Sequence, residues 1–320
     1  MERTASVRAA AWQLANPFAY SAYGKGVLYA LAAGVALGTL GPLSNLAYAE
    51  GMGSATFAAL RATIGAVAVV LFIRGTHHQT LPLRRLATRD RQLLALTAVA
   101  QAALSLSIFA AYGAMAVASV LAVYFCYPLL VAGVSIALGR ERLTAARGVG
   151  LVVAVSGLLG VLLGGAQGNV ELSLGGIALA GMAAVCQASY LVMSRSGYSR
   201  VPSDQASAII LAGAAALIWL LALPVDIAGG RTEWLLSVTA WTAVGIAGLI
   251  GAAVAKVFVL RAVRRVGGTR ASVLMLSEPV AGVALAALLL GQGLTAWQAV
   301  GGVGVLLGAA LAQRPAPGHH

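Results

Sequence analysis

Three charged side chains stand inside otherwise apolar stretches of this sequence: Arg61 in Phe57-Ala-Ala-Leu-Arg61, Lys256 between Ala255 and Val257, and Glu278 in Met275-Leu-Ser-Glu-Pro279. A charge at the centre of a membrane helix costs about 2.5–3.5 kcal/mol, so it marks a cavity wall, an ion pair or a titrating group. Glu278 follows Arg270 by eight residues, and Lys256 precedes Arg261 by five. At about 1.5 Å per residue, their depths along adjacent spans differ by only about 5 Å. The two are therefore candidates for an ion pair or a coupling pair, and Glu278 also for a substrate cavity. Each has a structural alternative. Glu278 can cap backbone groups freed by Pro279, Lys256 can snorkel to the interface, and Arg61 can bond carbonyls as a structural or gating residue.

Softer candidates for the cavity wall are Tyr112, Tyr124 and Tyr127 on the third and fourth spans, and Gln187 and Tyr190 on the sixth. Asn45 joins them, late in the first span after the Gly38-Thr-Leu-Gly-Pro42 break. Interrupted helices free backbone groups that can hold a substrate's carboxylate or amine. The chain offers no cluster of nucleophile, base and metal ligand at one depth: its histidines lie at 77, 78, 319 and 320. Catalysis, a metal site and a cofactor are therefore not expected. Cys126 and Cys186 read as small hydrophobes.

The elements that position these residues must be membrane helices. Of the 320 residues, 60% are hydrophobic and 9% charged, and mean hydropathy is +0.90. A soluble domain carries about 25% charged residues. Stretches of about 20 apolar residues, enough to cross about 30 Å of hydrocarbon, recur ten times. They fall near 25–48, 54–73, 92–112, 115–137, 147–165, 173–194, 203–224, 236–260, 267–290 and 295–312. With the N-terminus inside, the inside segments hold every Lys and Arg except Arg231, Arg61 and Lys256. That asymmetry is the positive-inside rule. It places both termini in the cytoplasm and accounts for the formal charge of +12 without nucleic acid as a partner.

The chain also repeats itself. An offset of 151 residues aligns Tyr127-Pro128 with Glu278-Pro279, Leu143-Thr144 with Leu294-Thr295, Gly150 with Gly301, and Gly157 with Gly308. Five spans per copy is an odd number, so the second copy must run the other way across the membrane. The charges agree: Gly139-Arg-Glu-Arg-Leu-Thr144 answers to Leu290-Gly-Gln-Gly-Leu-Thr295 with every charge removed. Inverted repeats are a common plan of secondary transporters. The paired prolines, Pro128 and Pro279, are candidates for structural or gating positions. Glycines such as Gly160-x-x-x-Gly164 and Gly304-x-x-x-Gly308 mark close helix contacts, either between the two peripheral spans or at a dimer surface.

These residues resemble the drug/metabolite transporter superfamily, in its EamA-type branch of ten-helix exporters. The carriers of the likeness are Phe57–Arg61, Ala118-Ser-Val-Leu121 running into Pro128, Gly139–Thr144, and the second-half copy from Ala271-Ser-Val-Leu274 through Glu278-Pro279 to Leu294-Thr295. Among relatives the chain is most similar to bacterial amino-acid exporters of the YddG type. The resemblance implies a bundle around a central cavity, built chiefly from helices 1, 3, 4, 6, 8 and 9. It also makes Glu141 a structural or gating candidate, because the family often keeps that acid in both halves whereas the second copy here has Gln292.

The expectation is an all-α polytopic membrane protein with ten transmembrane helices in two inverted five-helix repeats. A cytoplasmic segment 1–24 precedes repeats 25–165 and 173–312, and a cytoplasmic tail 313–320 follows. The expected function is a secondary transporter of the inner membrane that exports small amphipathic metabolites, amino acids first, by alternating access. Its partners are a small-molecule substrate, protons as a coupling ion, and the lipid bilayer; a monomer and a homodimer both stay open. Drugs, nucleosides or sugars are alternative cargo in the same fold.

Overall fold

The computed structural model describes residues 17–76, 80–112, 114, 117–139, 145–165, 173–221, 223–229, 237–290 and 295–312. All regular structure among them is helical, the form that satisfies every backbone group within one segment when lipid offers none. Seven stretches are long and apolar enough to cross a membrane: Ala22–Ala49, Ser54–Gly75, Thr88–Ala111, Ser119–Ala137, Leu174–Arg195, Ser203–Leu221 and Val238–Val266. Two shorter apolar helices, Gly148–Leu162 and Ala296–Leu311, accompany them. Small residues fill the interior, including Ala30, Ala33, Ala154, Ala180, Ala183 and Ala255, while Leu28, Leu71, Val152, Leu220 and Leu307 point outward. That distribution suits a bundle whose solvent is hydrocarbon and whose helices approach closely.

In the first half, α1 (Pro17–Gly38) and α2 (Leu40–Ala49) form one interrupted helix, followed by α3 (Ser54–Gly75) and α4 (Thr88–Tyr112). A second interrupted helix, α5 (Val117–Tyr124) with α6 (Tyr127–Ala137), leads to α7 (Ala145–Gly165). The second half contains α8 (Leu174–Ser196), α9 (Ser203–Leu221) and the short α10 (Leu223–Ala228). Next comes a composite helix: α11 (Val238–Ile246), a π-helical stretch Ala247–Val254, and α12 (Ala255–Val266). The chain closes with α13 (Gly268–Leu274), α14 (Ser277–Leu290) and α15 (Ala296–Ala312).

Contacts between the halves come in matched pairs. A Cβ on Gly157 of α7 would stand 2.6 Å from the Gly301 carbonyl oxygen and 2.6 Å from the Val305 nitrogen of α15. Adding and subtracting 151 turns these contacts into Gly308 against Gly150 and Ala154, and both exist. A contact that maps onto its own partner is the signature of a two-fold axis. Ascending α7 meets descending α15, so the equivalent helices run antiparallel. The rule extends to whole elements: α4 packs on α8 as α1 packs on α12, and α3 packs on the π-helical stretch as α9 packs on α4. The glycine faces of α7 and α15 are thus turned toward each other within one chain.

Four of the expected spans depart from single continuous helices. The first breaks at Thr39, where the Thr39 hydroxyl donates to the Ala36 carbonyl at 2.8 Å. The fourth breaks at Phe125–Cys126 and the ninth at Met275–Leu276, in both cases just before the paired proline. Proline lacks an N–H and fits the first turn of a helix, so each one starts the second half-helix. The eighth span widens into the π-helical stretch and then runs to Val266 rather than stopping near 260. Its three terminal arginines extend the helix because each finds partners. Arg261 forms an ion pair with Asp204 at 2.8 Å. Arg264 donates to the carbonyls of Val201 at 2.7 Å and Tyr198 at 3.1 Å, and to the Ser203 hydroxyl at 3.1 Å. Arg265 lies 5.0 Å from the Tyr29 ring centre.

Candidate functional site

The site is built from helix interruptions. Near the middle of the bundle, α14 starts with Ser277-Glu278-Pro279 in its first turn, and the Glu278 N–H donates to the Met275 carbonyl at 2.9 Å. Two glycines one turn apart on α1 bring that helix against the break. A Cβ on Gly38 would lie 2.7 Å from the Glu278 carbonyl oxygen, and one on Gly34 would collide with the Ser277 hydroxyl. On the twin break, the Tyr127 hydroxyl donates to the Ser272 carbonyl of α13 at 3.5 Å. Tyr127 also stacks with Tyr124 at 5.4 Å between ring centres. The two interrupted helices therefore touch each other where each is discontinuous.

Around this point the structure collects the three charges. Arg61, on α3, is 7% exposed and Lys256, one residue into α12, is 5% exposed; Glu278 is half-buried. The Glu278 carboxylate lies within electrostatic range of both cations, and the two cations of each other. No direct ion pair joins Glu278 to either of them among the described residues. Lys256 does not snorkel: its Nζ sits over the Tyr190 ring of α8, 4.7 Å from the centre. Arg61 also lies within range of Tyr48 and Tyr124. Several buried polar atoms here carry no hydrogen bond, namely Nε of Arg61, Oε1 of Gln187 and Oγ of Ser277. Gln187 stands one turn before Tyr190 on the same face of α8.

The sequence candidates thus divide. Arg61, Tyr124, Tyr127, Tyr190, Lys256 and Glu278 belong to one connected region contributed by both halves, and Gln187 shares a face of α8 with Tyr190. Pro128 and Pro279 are buried at the helix breaks that shape it. Asn45 is exposed on α2. The side chain of Tyr112 and all of Glu141 lie outside the described residues, as does Gln292. Among the described residues no three His, Cys, Asp or Glu side chains stand together as metal ligands.

One functional feature escaped the sequence reading: the network that ties the basic end of the bundle. Beyond the Arg261–Asp204 pair, Arg261 and Arg265 both cover the Tyr29 ring, at 5.7 and 5.0 Å, and Arg270 covers Tyr23 at 5.5 Å. Tyr198 shares a 2.8 Å hydrogen bond with Ser194, and burial pushes its hydroxyl pKa up, so it stays neutral. The Gln205 side chain clamps Leu81, accepting from its N–H at 2.9 Å and donating to its carbonyl at 2.6 Å. The spacing of Arg261, Arg264 and Arg265 on one helical face was the available signal; their partners lie some sixty residues or more away in the chain.

Comparison with known proteins gives the arrangement a context. The profile of the EamA-like transporter family matches residues 24–163 and again residues 174–313. Among solved structures, a crystal structure of another protein superposes with a TM-score of 0.78 at 22% identity, covering 90% of this chain and 96% of its own. At that identity the likeness concerns the fold alone. No curated protein matches significantly. With apolar spans throughout and one family profile fitting both halves, the chain is a multi-pass membrane protein and belongs to the EamA-like transporter family.

Proposed function

We propose that the chain is a ten-span secondary carrier of the inner membrane, with both termini cytoplasmic, that exports small amphipathic metabolites by alternating access. Amino acids are the leading cargo, in keeping with the resemblance to exporters of the YddG type. The observation that carries this reading is the Arg61–Lys256–Glu278 group, two buried cations and a half-buried acid drawn from both repeats and set where helices are interrupted. Charged side chains set inside a bundle with no ion pair joining them are suited to a polar solute that comes and goes. The two-fold contact pattern supports alternating access, because equivalent halves can exchange shapes. The basic end, holding the start of α1 and the end of α12, is the cytoplasmic one by the positive-inside rule. No phosphate-binding loop is recognisable in the sequence, so the substrate gradient or a proton gradient supplies the energy. Protonation of Glu278 would neutralise the acid of the group for one half-cycle.

Uptake of a panel of radiolabelled amino acids into proteoliposomes, with and without an imposed pH gradient, tests the reading. The expected result is saturable uptake of one subset, reduced at least about tenfold by Glu278→Gln, as for loss of a charged binding partner. Normal transport with unchanged pH dependence in that variant would remove Glu278 from coupling. Uptake of nucleosides or sugars in place of amino acids would redirect the cargo within the same fold.

A further inference from the structure

We propose that Arg61, Lys256 and Glu278 form a subsite for one carboxylate supplied by the transported molecule. The inference rests on the transport reading and narrows it to a chemical class. Its starting point is a count of charges: two buried cations face one acid. Elsewhere in the second half Arg261 is paired with Asp204, Arg264 donates to two carbonyls and a hydroxyl, and Arg265 and Arg270 lie over tyrosine rings. Within the central group itself one positive charge is in excess. A buried charge without a counter-ion costs several kcal/mol, and an incoming carboxylate would offset it where a neutral or cationic molecule would not.

The geometry favours the same ligand. Tyr190 occupies only one side of the Lys256 ammonium, and an ammonium has three donors to place. Arg61 keeps its Nε unbonded, and a guanidinium presents planar N–H donors that match a carboxylate. The Gln187 Oε1 atom, also unbonded, is left for another polar part of the same molecule. Glu278 is the complement: its helix is seated against Gly34 and Gly38, and its carboxylate can take an ammonium where the substrate has one. The carboxylate is thus required and the amine accessory. Simple monocarboxylates bind along with amino acids, and amines without an acid do not.

The test is thermal unfolding of the purified full chain with two matched series. The first is phenylalanine, 3-phenylpropionate, phenylalaninamide and phenethylamine; the second is alanine, propionate, alaninamide and ethylamine. In at least one series the carboxylates should raise the unfolding temperature, and the amide and the amine should not. Lys256→Gln and Arg61→Gln should each weaken the carboxylate effect at least about tenfold, as loss of a charged hydrogen-bond donor does. Lys25→Gln, at an exposed position, should leave it unchanged. The amide–carboxylate contrast needs only the wild-type protein, so it stands even if a variant fails to fold. The proposal is overturned if amides stabilise as well as carboxylates, if both variants keep full affinity, or if no carboxylate stabilises. Carboxylate-specific stabilisation without flux in liposomes supports the subsite and overturns the transport reading instead.

Discussion

At Lys256 a cation that has left water finds an aromatic face, 4.7 Å from the Tyr190 ring centre. A desolvated contact of this kind contributes about 2 kcal/mol, and it depends on the ring rather than the hydroxyl. Tyr190→Phe should therefore keep the unfolding temperature and carboxylate binding close to wild type. Tyr190→Leu should lower stability by about 2 kcal/mol, measured by thermal or denaturant unfolding. Equal losses in both variants would assign the effect to the hydroxyl. The similar depth of Lys256 and Glu278 is an expectation open to the sequence, because depth along a helix follows from residue counting. The ring is not, since facing depends on rotation about each helix axis and on the neighbour opposite.

Between elements, glycine decides how closely helices approach. The backbones of α7 and α15 meet at Gly157 and Gly301, where an added Cβ would lie 2.5–2.6 Å from backbone atoms. Backbone cannot rotate away as a side chain can. Gly157→Ala and Gly301→Ala should each destabilise by about 1–3 kcal/mol, the usual range for overpacking. Their effects should be similar in size because each added Cβ meets the backbone of the other helix at nearly the same distance. Gly245→Ala, with nothing within 4 Å of its Cβ, should be neutral or stabilising by up to about 1 kcal/mol through helix propensity. Denaturant unfolding of the three variants compares them. The helix breaks at 125–126 and 275–276 were readable from Pro128 and Pro279. The π-helical stretch was not, for no proline or charge marks Ala247–Val254, and its twin Leu96–Ala103 is ordinary α-helix. π-helical turns gather at functional sites, and this stretch ends two residues before Lys256.

Over the whole molecule, a two-fold scaffold carries contents that break its symmetry. The positions equivalent to Arg61, Lys256 and Glu278 are Ala212, Ser105 and Tyr127, so the charges have no charged twins. The same holds for the basic end, where Tyr29, Asp204 and Arg261 correspond to Ala180, Gly53 and Ala110. The basic end is thus tied by an ion pair and by arginines over a tyrosine ring that the equivalent positions of the other repeat cannot form. Asp204→Asn should shift the balance toward opening there. A partly exposed pair worth about 1–2 kcal/mol changes an equilibrium about 5–30-fold. In a background with Cys126 and Cys186 replaced by alanine, Ala30→Cys, fully buried on α1, reports the change by its rate of maleimide labelling. Unchanged labelling on adding Asp204→Asn would show that the pair does not hold this end shut.

The sequence by itself determined the apolar helical class, the repeat and its offset, and which charges stood in the wrong solvent. These are properties of composition, period and order along the chain, and lipid leaves few ways to satisfy them. Only the tertiary structure decided which face each charge presents: Lys256 to a ring, Arg261 to Asp204, and the glycines of α7 to those of α15. Those pairings join residues far apart in sequence. They depend on helix rotation and on the broken or widened turns that local sequence only partly marks.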